Sequence, residues 1–223
     1  PSNKIITTED PVEYQLDGIT QVQIFEDIGL TFGSSLRSIL RQDPDVLLIG
    51  EIRDEETADI AVKFSLTGHL VFSTVHANDA PGTLTRLLDI GIAPFLVGSC
   101  LNLVMAQRLV RKLCDKCKES YAPTADELAL IGLETKDVKG ELNKAKGCAD
   151  CRNTGYRGRT AIFEMIPMAR ELRKLVFDSA NEDEIRQAAI KNGMVTLRDA
   201  GNERVLDGTT SVEEVLRSTV EDL

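Results

Sequence analysis

The sequence predicts an α/β fold with a parallel sheet, and three observations indicate it. Short segments rich in β-branched residues alternate with segments of helical spacing, which is typical of parallel sheets crossed by helices. Residues 46–50 are continuously apolar, as expected of a central parallel strand covered on both faces. Polar residues Glu9, Glu51 and His76 follow three predicted strands, at the edge where such sheets bind ligands.

The first predicted elements are two strands and a helix. Residues 4–8 and 19–25 carry the β-branched and alternating apolar residues of strands. Residues 32–42 have helical spacing, with leucine and isoleucine on one face and arginine on another. The helix should end before Pro44, because a residue that precedes proline disfavours helical backbone angles.

Helices and strands continue to alternate after the central strand. Asp54 is placed to cap a helix that runs to about Leu66. Residues 69–76 follow as a strand, and Asp79 begins a further helix. The last helix of this part is predicted over residues 95–111.

Composition favours a cytosolic globular protein. Hydrophobic residues make up 42% of the 223, while the net charge of −10 repels phosphate backbones and disfavours nucleic acid as a partner. No signal peptide is recognised. The longest apolar stretch, residues 90–106, is interrupted by Pro94, Gly98 and Asn102, so it predicts a buried helix rather than a membrane span.

The polar residues at the predicted sheet edge are candidates for a nucleotide site. Glu51 could polarise an attacking water or hold Mg²⁺ through its water shell, and Glu9 supplies a second carboxylate beside Asp10. His76 could hydrogen-bond a terminal phosphate. Each residue alone could instead be a cap or a loop residue. His69 lies at the start of its strand, roughly 23 Å from His76, which favours a structural role.

Two arginines of the predicted helix over residues 32–42 form a second candidate group. Arg37 and Arg41 lie one helical turn apart and point the same way. They could bind an anion, including a nucleotide on a neighbouring subunit, or they could form surface ion pairs with the many acids. The sequence favours neither alternative, and Arg108 and Arg111 carry the same ambiguity.

Four of the five cysteines have the spacing of a metal site. Cys114 and Cys117 form one C-x-x-C pair, and Cys148 and Cys151 form another. Four thiolates close the tetrahedral shell of Zn²⁺, so the pattern predicts a structural zinc. Reduced thiols without a metal and, less favoured in the cytosol, disulfides are the alternatives. Cys100 lies in the apolar stretch and is expected to belong to the core.

The predicted organisation has three parts. Residues 1–113 form the α/β part, residues 114–166 the zinc-binding lobe with an adjoining β segment, and residues 167–223 a C-terminal helical region. Within the lobe a small helix is expected over residues 124–131 and a β segment over residues 155–166.

Four segments resemble motifs of the secretion ATPases that drive type II secretion and type IV pilus assembly. Residues 7–13, TTEDPVE, resemble the family's Asp box, and residues 47–54, LLIGEIRD, resemble its atypical Walker B strand. Residues 67–78, TGHLVFSTVHAN, resemble its His box. Residues 36–45, LRSILRQDPD, match as well. The resemblance covers nearly the whole chain.

The resemblance implies a RecA-like P-loop NTPase domain, a homo-hexameric ring, and ATP hydrolysis with Mg²⁺. It also implies a cytoplasmic protein that is peripheral to the inner membrane, where a platform protein receives the force. Glu51 would be the Walker B glutamate, Glu9 the Asp-box acid and His76 the nucleotide-sensing histidine. The paired cysteines point to the secretion and pilus-extension branch.

One departure from the family is large. The phosphate-binding loop G-x-x-x-x-G-K-[ST] and the family's N-terminal domains do not occur in the 223 residues. We therefore expect a C-terminal fragment of such an ATPase, inactive alone. The alternative is a non-enzymatic interaction module stabilised by zinc.

Overall fold

The computed structural model describes residues 3–219, which form two compact units. The first unit contains the chain up to Val104 together with Pro167–Ala189. The second contains Met105–Ile166 together with the residues from Ile190 onward. The chain therefore passes from the first unit to the second after Val104, returns to the first at Pro167, and enters the second again after Ala189.

Eight strands and nine α-helices are assigned within residues 3–219. In chain order they are β1 (Ile5–Glu9), β2 (Thr20–Gln23), α1 (Phe32–Ile39), β3 (Val46–Ile49), α2 (Glu55–Leu66), β4 (Leu70–Ser73), α3 (Ala80–Asp89), α4 (Pro94–Cys100), β5 (Leu103–Leu113), β6 (Glu119–Tyr121), α5 (Ala125–Ala129), β7 (Leu142–Lys144), β8 (Tyr156–Pro167), α6 (Arg170–Phe177), α7 (Glu182–Lys191), α8 (Leu197–Leu206) and α9 (Val212–Ser218).

The first unit contains a parallel four-stranded sheet in the order β2-β1-β3-β4. In its register Leu48 of β3 lies beside Thr7 of β1 on one side and Phe72 of β4 on the other. Helix α1 lies between β2 and β3 and helix α2 lies between β3 and β4, as is usual for parallel pairs, whereas residues 10–19 connect β1 to β2 without a helix. This arrangement confirms the α/β class predicted from the sequence.

The central strand β3 is covered on one face only. Leu47 and Ile49 are fully buried, whereas Leu48 and Phe72 on the opposite face are 36% and 52% exposed. The prediction of a strand buried on both faces is therefore wrong. A continuous apolar run indicates that both faces of a strand carry hydrophobic side chains. It does not indicate whether other residues among 3–219 pack against both faces.

The helix starts follow from the capping residues in the sequence. Asp54 accepts a hydrogen bond from the Thr57 amide at 2.8 Å and caps α2, as predicted. Asp79 caps α3 in the same way, through the Gly82 amide at 2.8 Å. These caps fix where the chain leaves the carboxyl edge of the sheet and turns into each helix.

The predicted helix over residues 95–111 is wrong in its second half. The helix α4 ends at Cys100, and the strand β5 occupies most of the remainder. Along β5 the side chains alternate, with Ala106 and Val110 buried while Met105 and Leu109 are exposed. This alternation has the strand period of two, and β5 pairs with the distant strand β8.

The residues that follow β8 return to the first unit. Gly98 of α4 approaches Phe177 of α6 so closely that a side-chain carbon at this glycine would lie 3.3 Å from the phenylalanine ring. Arg173 of α6 donates to the backbone carbonyl of Gly98. Among the helices of the described chain, none combines the length and the hydropathy that a membrane span requires.

The second unit joins the cysteine-bearing segment to the last helices. Its two-stranded ladder β6-β7 is antiparallel. A buried apolar cluster draws residues from α5, β7, α8 and α9 and their flanks. The cluster consists of Leu128, Ile131, Leu142, Val205, Val212 and Val215. This division differs from the predicted three parts, because residues 114–166 and the last two helices share one core.

Candidate functional site

The carboxyl ends of β1, β3 and β4 lie side by side at one edge of the sheet. Glu9 ends β1, Glu51 follows β3 by two residues, and His76 follows β4 by three. His76 Nε2 lies 3.0 Å from Glu51 Oε2. The structure therefore brings two of the three predicted residues into contact and places Glu9 at the end of the adjacent strand.

Glu51 is held by two side chains. Its side chain is 13% exposed, and one oxygen accepts a hydrogen bond from Arg53 while the other contacts His76. A carboxylate only accepts, so the proton of this contact lies on Nε2 of His76. The hydrogen bond from Arg53 lowers the pKa of Glu51, and His76 adds to this shift against the opposing effect of burial. Glu51 is thus a charged, oriented carboxylate at neutral pH.

Gly50 sets the backbone position of Glu51. Its amide donates to the Thr8 carbonyl at 2.7 Å, and its own carbonyl accepts from the Thr74 hydroxyl at 2.6 Å. A side-chain carbon at Gly50 would lie 2.9 Å from the Thr8 carbonyl oxygen. Only glycine fits this approach, which joins the ends of β1, β3 and β4 directly before the glutamate.

Glu9 has its own set of donors. The Thr7 hydroxyl and the Gln21 side-chain amide, the latter at 2.9 Å, both donate to one oxygen of its carboxylate. Asp10 is exposed and precedes a cis proline, Pro11. The two acids therefore differ, since Glu9 is fixed by neighbours whereas Asp10 faces solvent.

Arg53 is the site residue that sequence reasoning missed. Besides its bond to Glu51, its guanidinium lies 4.0 Å from the Glu26 carboxylate and is attracted by Asp10. The available signal was local, because Glu51 and Arg53 are two residues apart just after a strand. Extended residues two apart point the same way, so their side chains can meet.

The arginines Arg37 and Arg41 make contacts with residues other than Glu9, Glu51 and His76. Arg37 pairs with Glu56 on α2, and Arg41 donates to the Arg37 carbonyl at 2.8 Å. The next residue, Gln42, accepts from the side chain of Lys4, which precedes β1. Arg41 therefore lies toward the amino ends of the strands, whereas Arg37 contacts the first turn of α2, which follows Glu51. Their contact with a nucleotide stays a prediction.

His69 also lies at the amino end of its strand. Its ring stacks on Phe64 with centroids 4.1 Å apart and an angle of 13° between the planes. Its Nδ1 lies 2.9 Å from the Thr67 hydroxyl. These contacts support a structural role, in which His69 closes the turn between α2 and β4.

The four cysteine sulfurs converge in the second unit. All lie within 4.8 Å of one another, and the closest pairs are 3.7–4.0 Å apart. Four thiolates around Zn²⁺, each about 2.3 Å from the metal, would lie about 3.8 Å apart. The cluster consists of Cys114, Cys117, Cys148 and Cys151. Its geometry fits a tetrahedral four-sulfur metal site.

Backbone donors prepare one of these sulfurs for a negative charge. The amides of Cys148 and Gly155 each lie 3.2 Å from Cys151 Sγ. Burial acts to raise the pKa of the Cys151 thiol, but these donors outweigh it and lower the pKa to about 6. Cys100 lies outside the cluster, in α4, where burial raises the pKa of its thiol.

The parallel sheet with two oriented carboxylates at its carboxyl edge, followed by a four-cysteine cluster, defines an α/β fold of the ATPase type. The family model described as "Type II/IV secretion system protein" matches residues 1–217. The chain belongs to this family, which confirms the resemblance found in its motifs.

Curated relatives of the chain include both secretion and pilus proteins. The chain is 52% identical to the type IV pilus assembly ATPase PilB of Myxococcus xanthus, over 98% of this chain and 39% of that protein. It is 49% identical to the type II secretion system protein E of Pseudomonas aeruginosa, over 99% of this chain and 44% of that protein. The chain thus spans less than half the length of these relatives.

A solved structure shares the fold over almost the whole chain. The pilus retraction motor PilT with bound ADP superposes with a TM-score of 0.71 at 25% identity, covering 99% of this chain and 54% of that one. This likeness confirms the predicted fold class, a RecA-like ATPase domain followed by further elements.

Proposed function

We propose that the chain is the C-terminal part of a hexameric ATPase that powers type II protein secretion or type IV pilus assembly. The observation that carries this proposal is the geometry at the carboxyl edge of the sheet. Glu51 lies there with both oxygens occupied by Arg53 and His76, at the end of the strand adjacent to Glu9. The names of the relatives support the choice of reaction and of biological process.

In this proposal Glu51 orients the water that attacks ATP. Both of its oxygens accept hydrogen bonds, which orient the carboxylate and use part of its capacity to accept. Glu51 therefore acts on water or through the hydration shell of the ion, which Mg²⁺ retains readily. Glu9 supplies the second carboxylate, and the exposed ring of His76 is free to turn toward a terminal phosphate.

The proposed hydrolysis is tested in a protein that carries the chain together with an upstream phosphate-binding loop. Glu51→Gln keeps the shape of the side chain but removes its charge, and we expect turnover to fall at least ~100-fold while ATP binding persists. Glu55→Gln is the matched control, since Glu55 is an exposed glutamate on the first turn of α2. Unchanged turnover in Glu51→Gln would remove the proposed role.

The chain by itself should not hydrolyse ATP. Its 223 residues contain no G-x-x-x-x-G-K-[ST] loop, whose backbone amides and lysine hold the phosphates in P-loop enzymes. The measurement is phosphate release by the purified chain with Mg²⁺. Turnover above background that Glu51→Gln abolishes would contradict this part of the proposal.

We further propose that the cysteine cluster holds a structural Zn²⁺. A closed four-thiolate shell leaves no position for substrate, so the ion would contribute folding energy rather than catalysis. Elemental analysis of protein purified without chelators should give about one zinc per chain. A content far below that value, with all four thiols titratable, would count against the site.

The proposed partners follow from the family. We propose a homo-hexamer in the cytoplasm that acts on an inner-membrane platform protein, without nucleic acid as a ligand; the net charge of −10 supports the last point. The missing phosphate-binding loop favours one other function, a non-enzymatic module stabilised by zinc. Retained secretion or piliation in a Glu51→Gln strain would support that alternative.

A further inference from the structure

The second unit contains an open cavity that no part of the proposed hydrolysis uses. Its volume is about 520 Å³, and Arg111, Arg159 and Arg217 contribute to its lining together with Tyr156. Ligand pockets in proteins commonly measure about 300–1,000 Å³, so the cavity is large enough for a small molecule. Three guanidinium groups around one cavity are unusual in a chain whose net charge is −10.

A buried carboxylate holds two of these arginines in place. Glu214 is fully buried, and its carboxylate accepts bonds from Nε and Nη2 of Arg111 at 2.9 and 2.7 Å. It also accepts from Nε and Nη2 of Arg217 at 2.9 and 2.6 Å. Each guanidinium thus bonds Glu214 along one edge, which leaves its Nη1 group without a protein partner among residues 3–219.

Tyr156 fixes the plane of one guanidinium. The central carbon of the Arg111 guanidinium lies 4.1 Å from the ring centroid of Tyr156, and the tyrosine hydroxyl is itself 2.6 Å from the Ser211 hydroxyl. The ring is 9% exposed, so it is a fixed platform. Arg111 therefore has little freedom to move, and its outer edge keeps one orientation toward the cavity.

Arg159 is the third cation that lines the cavity and, unlike Arg111 and Arg217, it does not bond Glu214. Its side chain is exposed and makes no hydrogen bond or ion pair with the rest of the described chain. Glu214 neutralises one of the three positive charges that line the cavity, so two remain uncompensated by it. Glu213, the adjacent acid on α9, is exposed and makes no ion pair with these arginines within the described residues.

We infer that this cavity is a binding site for the phosphate or diphosphate group of a small soluble molecule. Planar guanidinium groups donate paired hydrogen bonds that match phosphate oxygens, and pre-positioned ones lose little freedom when they bind. Two guanidiniums fixed by one buried carboxylate and a third that is free to close over the ligand form such a site. The residues that line this cavity belong to the second unit, whereas Glu51 belongs to the first.

The test uses pyrophosphate as the probe, without Mg²⁺, in titration calorimetry at low ionic strength. Arg159→Gln removes one donor that has no structural partner, so the fold should be unaffected, and binding should weaken roughly ten- to hundredfold. Arg157→Gln is the matched control, because Arg157 is an exposed arginine of the same strand that does not line the cavity. Its affinity for pyrophosphate should stay within about twofold of the unchanged chain.

Nuclear magnetic resonance locates the binding. Pyrophosphate should shift the amide signals of Arg111 and Arg159 and leave those of β1 and β3 in place. No saturable binding, or equal weakening by Arg159→Gln and Arg157→Gln, would overturn the inference. So would Arg159-dependent binding to phosphatidylglycerol vesicles with none to pyrophosphate, because the phosphate would then belong to a lipid surface.

Discussion

Replacement of Glu214 by glutamine tests how the second unit is held together. Glu214 is fully buried in α9, and its two oxygens accept bonds from the backbone amide and guanidinium of Arg111 and from the guanidinium of Arg217. Glutamine has the same shape but offers one amide group where a carboxylate oxygen stood. That amide would face the N–H groups of an arginine. The guanidinium of Arg111 or that of Arg217 would then lose a hydrogen-bond acceptor.

The pKa of Glu214 gives the magnitude. Burial alone would raise the pKa, but the hydrogen bonds from Arg217 and Arg111 outweigh it and lower it from 4.5 to about 2. At ~1.4 kcal/mol per pKa unit, the charged form is favoured by about 3 kcal/mol. Removal of one partner from a buried ion pair costs ~3–5 kcal/mol, which agrees with this value. We expect Glu214→Gln to lower the free energy of unfolding of the second unit by about 3 kcal/mol.

The same pKa predicts a pH dependence with a definite sign. A carboxyl whose pKa is lower in the folded state contributes stability above its unfolded pKa and loses it as the pH falls. For Glu214 the full contribution is present above about pH 4.5 and disappears toward pH 2. The difference in stability between the unchanged chain and Glu214→Gln should therefore shrink as the pH falls from about 4.5 toward about 2.

Urea unfolding followed by hydrogen exchange measures this effect in each unit separately. The amide of Arg111, which donates to Glu214 at 2.9 Å, should exchange much faster in the variant, while the amides of α2 should be unchanged. Glu213→Gln is the control, since it removes the same charge from an exposed neighbour. Equal losses in the two variants, or a loss in Glu214→Gln that does not depend on pH, would refute the reasoning.

Three further predictions concern the sheet edge, a helix start and the metal site. Gly50→Ala should destabilise the first unit by ~1–3 kcal/mol in urea unfolding, because its side-chain carbon would lie 2.9 Å from a backbone oxygen. Gly33→Ala in α1, which meets only the movable side chain of Glu56, should cost less than half of that. Asp54→Ala removes the cap of α2 and should cost about 1 kcal/mol by the same measurement, whereas no loss would show that the cap is dispensable. Cys148→Ser should lower zinc content in elemental analysis and speed hydrogen exchange in α8 and α9; slow exchange there after zinc loss would separate the metal from the helices.

The first unit could be predicted well because its signals are local. The strands β3 and β4 are short and largely apolar, β1 and β2 contain β-branched residues, and caps such as Asp54 mark where helices start. The shared edge of Glu9, Glu51 and His76 follows from parallel connectivity alone, since every strand then ends on the same side. The prediction of burial was wrong for Leu48, because the exposure of this side chain depends on whether another element packs on that face of the sheet.

The strand β5 is a second element for which the prediction was wrong because a distant partner determines the structure. Residues 103–111 contain enough leucine, methionine and alanine to suit a helix, and an apolar helix precedes them. Their alternation between buried and exposed side chains decides for a strand, and the partner β8 lies about fifty residues further along the chain. Intrinsic preference is a weak guide when such pairing competes with it.

The arginine cluster around Glu214 could not be predicted from the sequence for a similar reason. The sequence leaves the role of Arg111 open, because its partner Glu214 is 103 residues away in the chain. Nothing local distinguishes Glu214 from the adjacent exposed Glu213, because both fit the first turn of a helix. Glu214 is buried because α9 packs against the rest of the second unit, and a buried ion pair is costly to break.

The metal site and the last helices are therefore parts of one structure. Leu113, directly before Cys114, donates its amide to the Thr209 carbonyl at 2.8 Å, and the Thr210 hydroxyl donates to the Arg111 carbonyl at 2.7 Å. The shared apolar cluster adds side chains from α8 and α9 to those from α5 and β7. The cysteine-bearing lobe thus shares its apolar core with the C-terminal helices. Release of a bound metal should destabilise α8 and α9. Leu113 directly precedes the first cysteine, and its amide donates to Thr209 in the segment between these two helices.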